Sequence, residues 1–466
     1  MKKVLIFVTS VVLLVALAAC GGGGGGAAGG AAPAAPAGDA APAGDAAAGN
    51  DGAQVADGQV IELEFWDMMW GPADTYVPAV EANVARFNAE NPYGINVHVQ
   101  MTPWDNFYQV FVTAVMGGAG PDASTGGGFQ PIQFAVLERS LNLDPIIAHW
   151  EAENNPILDD FLPGLLEFYQ MNGVQYGIPW NVDPRAIIYR TDKFEEAGVT
   201  RPPETFDEFA DALRAVQATF PDIIPFAFGA GDHFANHPSI GFMIYNGVNL
   251  VTAALQPNMA GPEAVEVWEF FAMLAEEGLL GPGTAGYRNA DIEIIYLTDN
   301  LAAFYMGPPA FMRGSEQYYV SGVMPPLRGP SAAPGRGGTN FFWINGIQGY
   351  TTTDHPDATR DFIRWWAENT LTMFVDGNAG PFPVRTSFYD HPHYNDAWMR
   401  SGYYEHTVST GVPVIWPAPA LFPAFFQIEG ENYPGNVLRA VITGQDIEST
   451  AAHWDEMTAQ ALALHP

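Results

Sequence analysis

The chain predicts an α/β fold in two lobes or two domains, on three observations. Segments alternating apolar and polar residues are followed directly by segments with apolar residues three and four apart, the pattern of strand then helix. This succession runs from residue 60 to the end with no internal repeat of fixed period. Beyond residue 58 lie about 400 residues, more than a single hydrophobic core organises. Hydrophobic residues make up 48% of the 466 and aromatics 13%, which suffices to fill both interiors.

In chain order, Met1-Lys2-Lys3 and the apolar run Val4 to Ala19 have the layout of a secretory signal peptide, residues 1–19. The run is short of the roughly 20 residues that span a bilayer. It ends in Leu17-Ala18-Ala19-Cys20, and this sole cysteine, set before a glycine run, cannot sit in a core. The pattern resembles a bacterial lipobox, which implies that Cys20 carries a lipid and that the protein is held to a membrane by that anchor alone. One cysteine permits no disulfide within the chain. Residues 20–58 are otherwise nearly all Gly, Ala, Pro and Asp, a flexible tether with a root-mean-square span of about 35 Å.

The net charge is -34, with 52 acidic residues against 18 basic, and after Lys2 and Lys3 the only lysine is Lys193. Nucleic acid and anionic lipid head groups need clustered Lys and Arg, so neither is a partner.

Residues 60–66 (Val-Ile-Glu-Leu-Glu-Phe-Trp) open as a strand. Val77, Val80, Val84 and Phe87 mark a helix over 76–88, which Asn91-Pro92 stops, and 95–101 alternates again. A helix over 106–116 ends at Gly117-Gly118. The glycine loop 125–128 lacks both the Lys-Ser/Thr of a P-loop and a G-x-G-x-x-G opening a helix, so it is not a nucleotide site. Residues 176–180 and 186–190 read as two strand pieces joined by Asn181-Val-Asp-Pro-Arg185. A helix starts at Thr205, with Glu208 as its capping-box partner. Residues 262–277, 357–368 and 449–464 are further helices, the second with a broad apolar face of Phe362, Ile363, Trp365 and Trp366.

The stretch Tyr176-Gly-Ile-Pro-Trp-Asn-Val-Asp-Pro-Arg-Ala-Ile-Ile-Tyr-Arg-Thr-Asp-Lys-Phe-Glu-Glu-Ala-Gly198, followed by Pro202-Pro-Glu-Thr-Phe-Asp-Glu-Phe209, closely resembles the family 1 extracellular solute-binding proteins of ABC importers, the group that includes maltose-binding proteins. Gly120-Pro-Asp122, Leu301–Gly307, Tyr350–Trp366 and Leu438–Gly444 follow in the family's order, so the likeness covers nearly everything from residue 60 on. It implies a bilobal type II periplasmic-binding-protein fold, two α/β lobes joined by hinge segments that close over a ligand. It also implies a sugar or oligosaccharide as ligand, the transmembrane subunits of an ABC permease as partners, an extracytoplasmic location, a monomer, and neither cofactor nor metal. The expected lobes are 59–183 with 323–378 and 184–322 with 379–466, crossing near 181–186, 320–326 and 376–382.

A sugar presents apolar C–H faces and a rim of hydroxyls, so its site needs aromatic rings together with carboxylates and amides. Trp66, Asp67 and Trp70 end the first strand on its carboxyl side, where open α/β sheets bind ligands; Trp66 suits the core equally, and Asp67 could cap the next loop. Phe129 and Gln130 follow the glycine loop where the family places contacts, although a capping loop would look the same. Trp180 and Asp183 lie in the crossing motif, Asp183 where maltose-binding proteins carry an acidic hydroxyl acceptor, and Arg185 is an alternative partner for it. Asp232 and His233 belong to a polar cluster with Asn236 and His237. The histidines have i, i+4 spacing but no H-E-x-x-H glutamate, and Pro238 speaks against a regular helix, so loop polarity facing a sugar is preferred to a metal. Phe311, near Pro309 where the family often has tryptophan, Trp343 and Asn345, and Trp416 in its proline-bounded loop complete the set.

Two alternatives stand beside the sugar reading. A cationic solute such as a polyamine or quaternary amine would also suit aromatics and acids. A lipid-anchored carbohydrate-active enzyme needs paired carboxylates; no Gly-x-Ser-x-Gly elbow is present, and nothing in the sequence pairs two acids convincingly, so the chain reads as a binding protein.

Overall fold

The computed structural model describes residues 60–104, 106–306, 315–333, 337–396, 404 and 407–465. The signal peptide, the tether with Cys20, and Phe311 lie outside the described residues. The strands are β1 Ile61–Met68, β2 Ile95–Thr102, β3 Ala123–Thr125, β4 Gln170–Met171, β5 Val174–Gln175, β6 Ile178–Arg190, β7 Ile224–Ala227, β8 Leu301–Met306, β9 Ser321–Val323, β10 Phe341–Gly349, β11 Phe382–Pro383 and β12 Val412–Pro413. The helices are α1 Ala73–Glu90, α2 Phe107–Met116, α3 Gln130–Val136, α4 Asp144–Ala152, α5 Ile157–Asp160, α6 Thr191–Glu196, α7 Phe206–Thr219, α8 Asn236–Tyr245, α9 Pro262–Glu276, α10 Asn289–Leu297, α11 Pro356–Glu368, α12 Leu371–Val375, α13 Ala424–Gly430, α14 Tyr433–Ile442 and α15 Ile447–Leu464.

The first lobe follows from the opening pattern. Leu63 and Phe65 of β1 turn inward between the outward Glu62 and Glu64, and β1 pairs in parallel with β2 and β3. The apolar faces of α1 and α11 close over this sheet: Phe65 meets Phe362 at 5.0 Å and Trp366 at 4.8 Å, and Phe87 meets Phe362 at 5.2 Å. In the second lobe β7 and β8 run parallel beneath α7, α8 and α9, whose Phe209, Phe242 and Phe271 fill the interior. Thr205 caps α7 as expected, its Oγ1 accepting from Glu208 N at 3.2 Å, whereas the Glu208 carboxylate reaches past Thr205 to Glu204 N at 2.9 Å.

The strand order β2-β1-β3-β10-β6-β8-β7 joins the lobes through β6. In place of two strand pieces and a linker, 178–190 is one continuous strand. It holds together because each half has its own partners: Ile178–Arg185 pair with β10 and β11, and Ala186–Arg190 with β8 and β9. Pro184 lies within it, opposite Phe342. The other two passages lie later than expected. Met324 N bonds Ile187 O, Arg328 N bonds Glu204 O and Gly338 N bonds Tyr245 O, so the chain stays on the second lobe until β10. β11 pairs with the first half of β6, and Arg385 Nε donates to Asp160 at 2.6 Å, so residues 382–387 remain on the first lobe. Pro325-Pro326 and the glycines around 377–380 resemble crossing punctuation; backbone pairing, invisible in local sequence, decides otherwise.

Candidate ligand-binding site

A cleft of about 630 Å³ lies between the end of β1, the middle of β6 and of β10, the turn before α8, α10 and α13. It is walled by a chain of rings. Trp180 meets Trp70 at 5.3 Å, Trp70 meets Trp104 at 4.8 Å, Trp104 meets Phe107 at 5.3 Å and Phe107 meets His233 at 5.8 Å. The chain continues through Phe234 at 4.4 Å and His237 at 4.7 Å to Trp343 at 4.6 Å. Successive rings meet mostly edge to face or tilted, the arrangement ring quadrupoles favour.

Of the residues named from sequence, Trp70, Asp183, Asp232, His233, Trp343 and Asn345 line this cleft. Trp70 is steered from below. Its Nε1 donates to Thr125 Oγ1 at 3.0 Å, Met68 N donates to the same oxygen at 3.0 Å, and the Thr125 hydroxyl in turn donates to Asp67. Asp67 does not reach the cleft: it is fully buried, also accepts from Tyr76 OH at 2.9 Å, and burial pushes its carboxyl up to about 7 against these hydrogen bonds. Asp232 accepts from Phe234 N at 3.1 Å and Asn289 N at 3.1 Å, tying the turn before α8 to the start of α10. That turn, His233–Ala235, runs directly into α8, so a helix does form here, contrary to the expectation from Pro238. Pro238 falls in the first helical turn, where its missing N–H costs no helical bond.

Asp183 and Trp343 are cross-strand partners on β6 and β10. Arg185 pairs with Asp183 at 2.5 Å, and its guanidinium lies 4.8 Å over the Trp343 ring. Its Nε donates to His237 Nδ1 at 3.0 Å. Burial, with Arg185 and His233 adding to it, holds the His237 imidazole well below its ordinary pKa and so neutral, as an acceptor from Arg185 must be. Asn345 donates to Asn181 Oδ1 at 2.8 Å. The glycine loop serves this packing: a Cβ on Gly128 would stand 2.1 Å from Ile344 O and 3.2 Å from Asn345 Oδ1.

The remaining named residues stand away from the cleft lining. Trp66 packs on Phe111 at 5.4 Å. Phe129 meets Phe425 of α13 at 4.3 Å, and Gln130 is fully buried beside Gly126. Trp180 is 1% exposed and supports Trp70 from behind. Trp416 is half-buried, its carbonyl accepting from Asn249.

Sequence reasoning missed Trp104, Phe107, Phe234, Glu293 and Glu429, all of which line the cleft. Pro103-Trp104 at the end of a predicted strand carried the same signal that singled out Trp70. The two glutamates lie on helices and had none. Burial raises the Glu293 carboxyl to about 7 against a hydrogen bond from Asn289, and raises Glu429 to about 7 against the nearby Arg185. The cleft thus combines flat apolar walls with acids, guanidinium groups and amides, a set that suits a polyhydroxylated solute.

Among curated proteins, a putative binding protein of Brucella abortus is 24% identical over 231 residues, 50% of this chain and 54% of that protein, so the chain spans about half the length of the first curated relatives it matches. The erythritol/L-threitol-binding protein of Mycolicibacterium smegmatis is 25% identical over 345 residues, 67% of this chain and 69% of the relative. Among solved structures, a sugar transporter of Arthrobacter chlorophenolicus with bound laminaribiose aligns with a TM-score of 0.78 at 23% identity, covering 86% of this chain and 99% of that one. A solute-binding protein of an ABC transporter from Thermotoga lettingae, bound with α-D-tagatose, aligns at 0.69 and 20%, covering 86% and 100%. These likenesses agree with the bilobal α/β fold. Among the described residues no helix is long and apolar enough to cross a membrane. Residues 70–371 match the sequence profile of the bacterial extracellular solute-binding proteins, and the chain belongs to that family.

Proposed function

We propose that the protein captures a sugar or short oligosaccharide between its lobes and hands it to the transmembrane subunits of an ABC importer, working as a monomer held to the membrane by lipid on Cys20. The observation that carries this reading is the ring-walled cleft with mixed hydrogen-bonding groups. Aromatic faces and edges match the C–H surfaces of a pyranose, while acids, guanidinium groups and amides match its hydroxyls. The sugars named with the similar structures support the same class. Lobe closure is proposed to pivot where β6 and β10 pass between the lobes.

Cationic solutes are the second reading, favoured by the four acids Asp183, Asp232, Glu293 and Glu429. Arg185, Arg288, Asn289 and Asn345 in the same lining favour a neutral polyol instead. Binding is proposed without chemistry on the ligand, which is to be recovered unchanged.

The test is a thermal-shift screen of the purified protein against laminaribiose, maltose, tagatose and erythritol, with spermidine and betaine as controls. A ligand at about 100 times its Kd stabilises the native state by about 2.7 kcal/mol. A rise with a sugar that Trp70→Ala abolishes supports the proposal; a rise only with spermidine or betaine moves the protein to the cationic class.

A further inference from the structure

We propose that Arg185 and Glu429 form a paired donor and acceptor that grips two adjacent hydroxyls of the bound sugar, with Asp183 as the second acceptor. This deepens the sugar reading and rests on it.

Arg185 is fixed on every side but one. Nε is committed to His237 Nδ1, and Nη1 to the carboxylate of Asp183 at 2.5 Å and to the carbonyls of Asp183 and Pro184 at 3.3 and 3.1 Å. The Trp343 ring covers one face of the guanidinium at 4.8 Å. Nη2 makes no hydrogen bond among the described residues, although the side chain is 7% exposed and lines the cleft. A planar fork held this way can present its last amino group in only one direction.

Glu429 offers the complementary group. It is 7% exposed, lines the same cleft, and its carboxyl has no hydrogen-bond partner among the described residues. Its backbone is nevertheless anchored, since its carbonyl accepts from Asn236 Nδ2 at 2.8 Å. Arg185 is near enough to act on it electrostatically. A carboxyl and an amino group that face one cavity without protein partners are satisfied together by a diol. The bond to an ionised carboxylate is the stronger kind, so sugar binding draws Glu429 toward its charged form. Burial holds that carboxyl at about 7 in the empty cleft, and binding near neutral pH therefore releases part of a proton. The other titratable groups sharing the cleft are Asp183, Asp232, His233, His237 and Glu293, with Arg185 and Arg288 as fixed charges.

The experiment is isothermal titration at pH 7 with whichever of laminaribiose, maltose, tagatose and erythritol raises the wild-type melting temperature most. E429Q and R185K are each expected to bind it at least fivefold more weakly, while their ligand-free melting temperatures stay within about 5 °C of wild type. A smaller loss in either variant overturns the pairing and leaves the sugar reading intact. If none of the four sugars binds the wild type, both readings fall. Should a variant not fold, titrations of the wild type in two buffers of different ionisation heat carry the test: it should release up to about half a proton on binding, and no release overturns Glu429 as the acceptor.

Discussion

Replacing Thr125 by valine should cost more than its single hydroxyl suggests, because that oxygen serves three groups. It accepts from Trp70 Nε1 and Met68 N, each at 3.0 Å, and donates to the fully buried Asp67. Valine keeps the shape but takes this partner from two donors and from Asp67, which still accepts from Tyr76. Each orphaned neutral donor costs about 1 kcal/mol or more, and the bond to an ionised carboxylate is worth about 1.5–3 kcal/mol, so the loss is about 4 kcal/mol when Asp67 is charged. The Asp67 carboxyl stands at about 7, so it is mostly ionised at pH 8 and mostly protonated at pH 5. At pH 5 the third bond is no longer charge-assisted, and the loss should shrink by about 1–2 kcal/mol. Urea unfolding followed by tryptophan fluorescence at both pH values measures this, with T125S as the control that keeps the hydroxyl. A T125V protein destabilised by less than about 1 kcal/mol at pH 8, or no more than T125S, would refute the three-way role of the hydroxyl.

Three further outcomes follow from the same geometry. G128A should lose about 1–3 kcal/mol in thermal unfolding, because the added methyl meets the Ile344 carbonyl at 2.1 Å and the backbone must yield. Asp160 accepts from Arg385 Nε, Thr386 Oγ1, and both the backbone N–H and the hydroxyl of Ser387; although burial opposes ionisation, these bonds hold its carboxyl at about 2. D160N should therefore cost about 2 kcal/mol by urea midpoint at pH 7, and the difference from wild type should fade as the pH drops toward 2, where the native carboxylate is itself protonated. Asp67, Glu293 and Glu429 titrate the other way. Their carboxyls are raised to about 7, so the folded state binds more protons than the unfolded chain between pH 4 and 7, and the stability of the ligand-free protein should fall as pH rises through that window. D67N should flatten this slope.

The sequence made the first lobe legible because its signals are local. β1, α1 and β2 carry clean periodicities, and Thr205 announces the start of α7. What stayed hidden depends on pairing between distant segments. Nothing near residue 181 reveals that both halves of β6 find separate partners, and nothing near residue 325 reveals that the chain lingers beside Tyr245 before it crosses. The site shows the same division. Tryptophans and acids next to Gly or Pro were readable, and Trp70, Asp183 and Trp343 meet at the cleft. Trp180 has the same local signature but turns inward, since which face of a strand points to the cavity is set by register. Glu293 and Glu429 carried no local signal; only the folding of α10 and α13 brings them to the cavity.

The position of β10 has a consequence for how the molecule comes to be made. This strand arrives late in the chain and inserts between β3 and β6, both of which precede it by far. Until residue 349 is available, the nascent protein holds two partial sheets, each ending in an open edge with its peptide groups unpaired. Closing the gap requires a long chain loop to be brought together before the contacts reward it, which slows folding. A fragment ending before Phe341 would be left with adhesive edges and a cleft lacking Trp343, Asn345 and Glu429, so intact length is a condition for solubility as much as for binding.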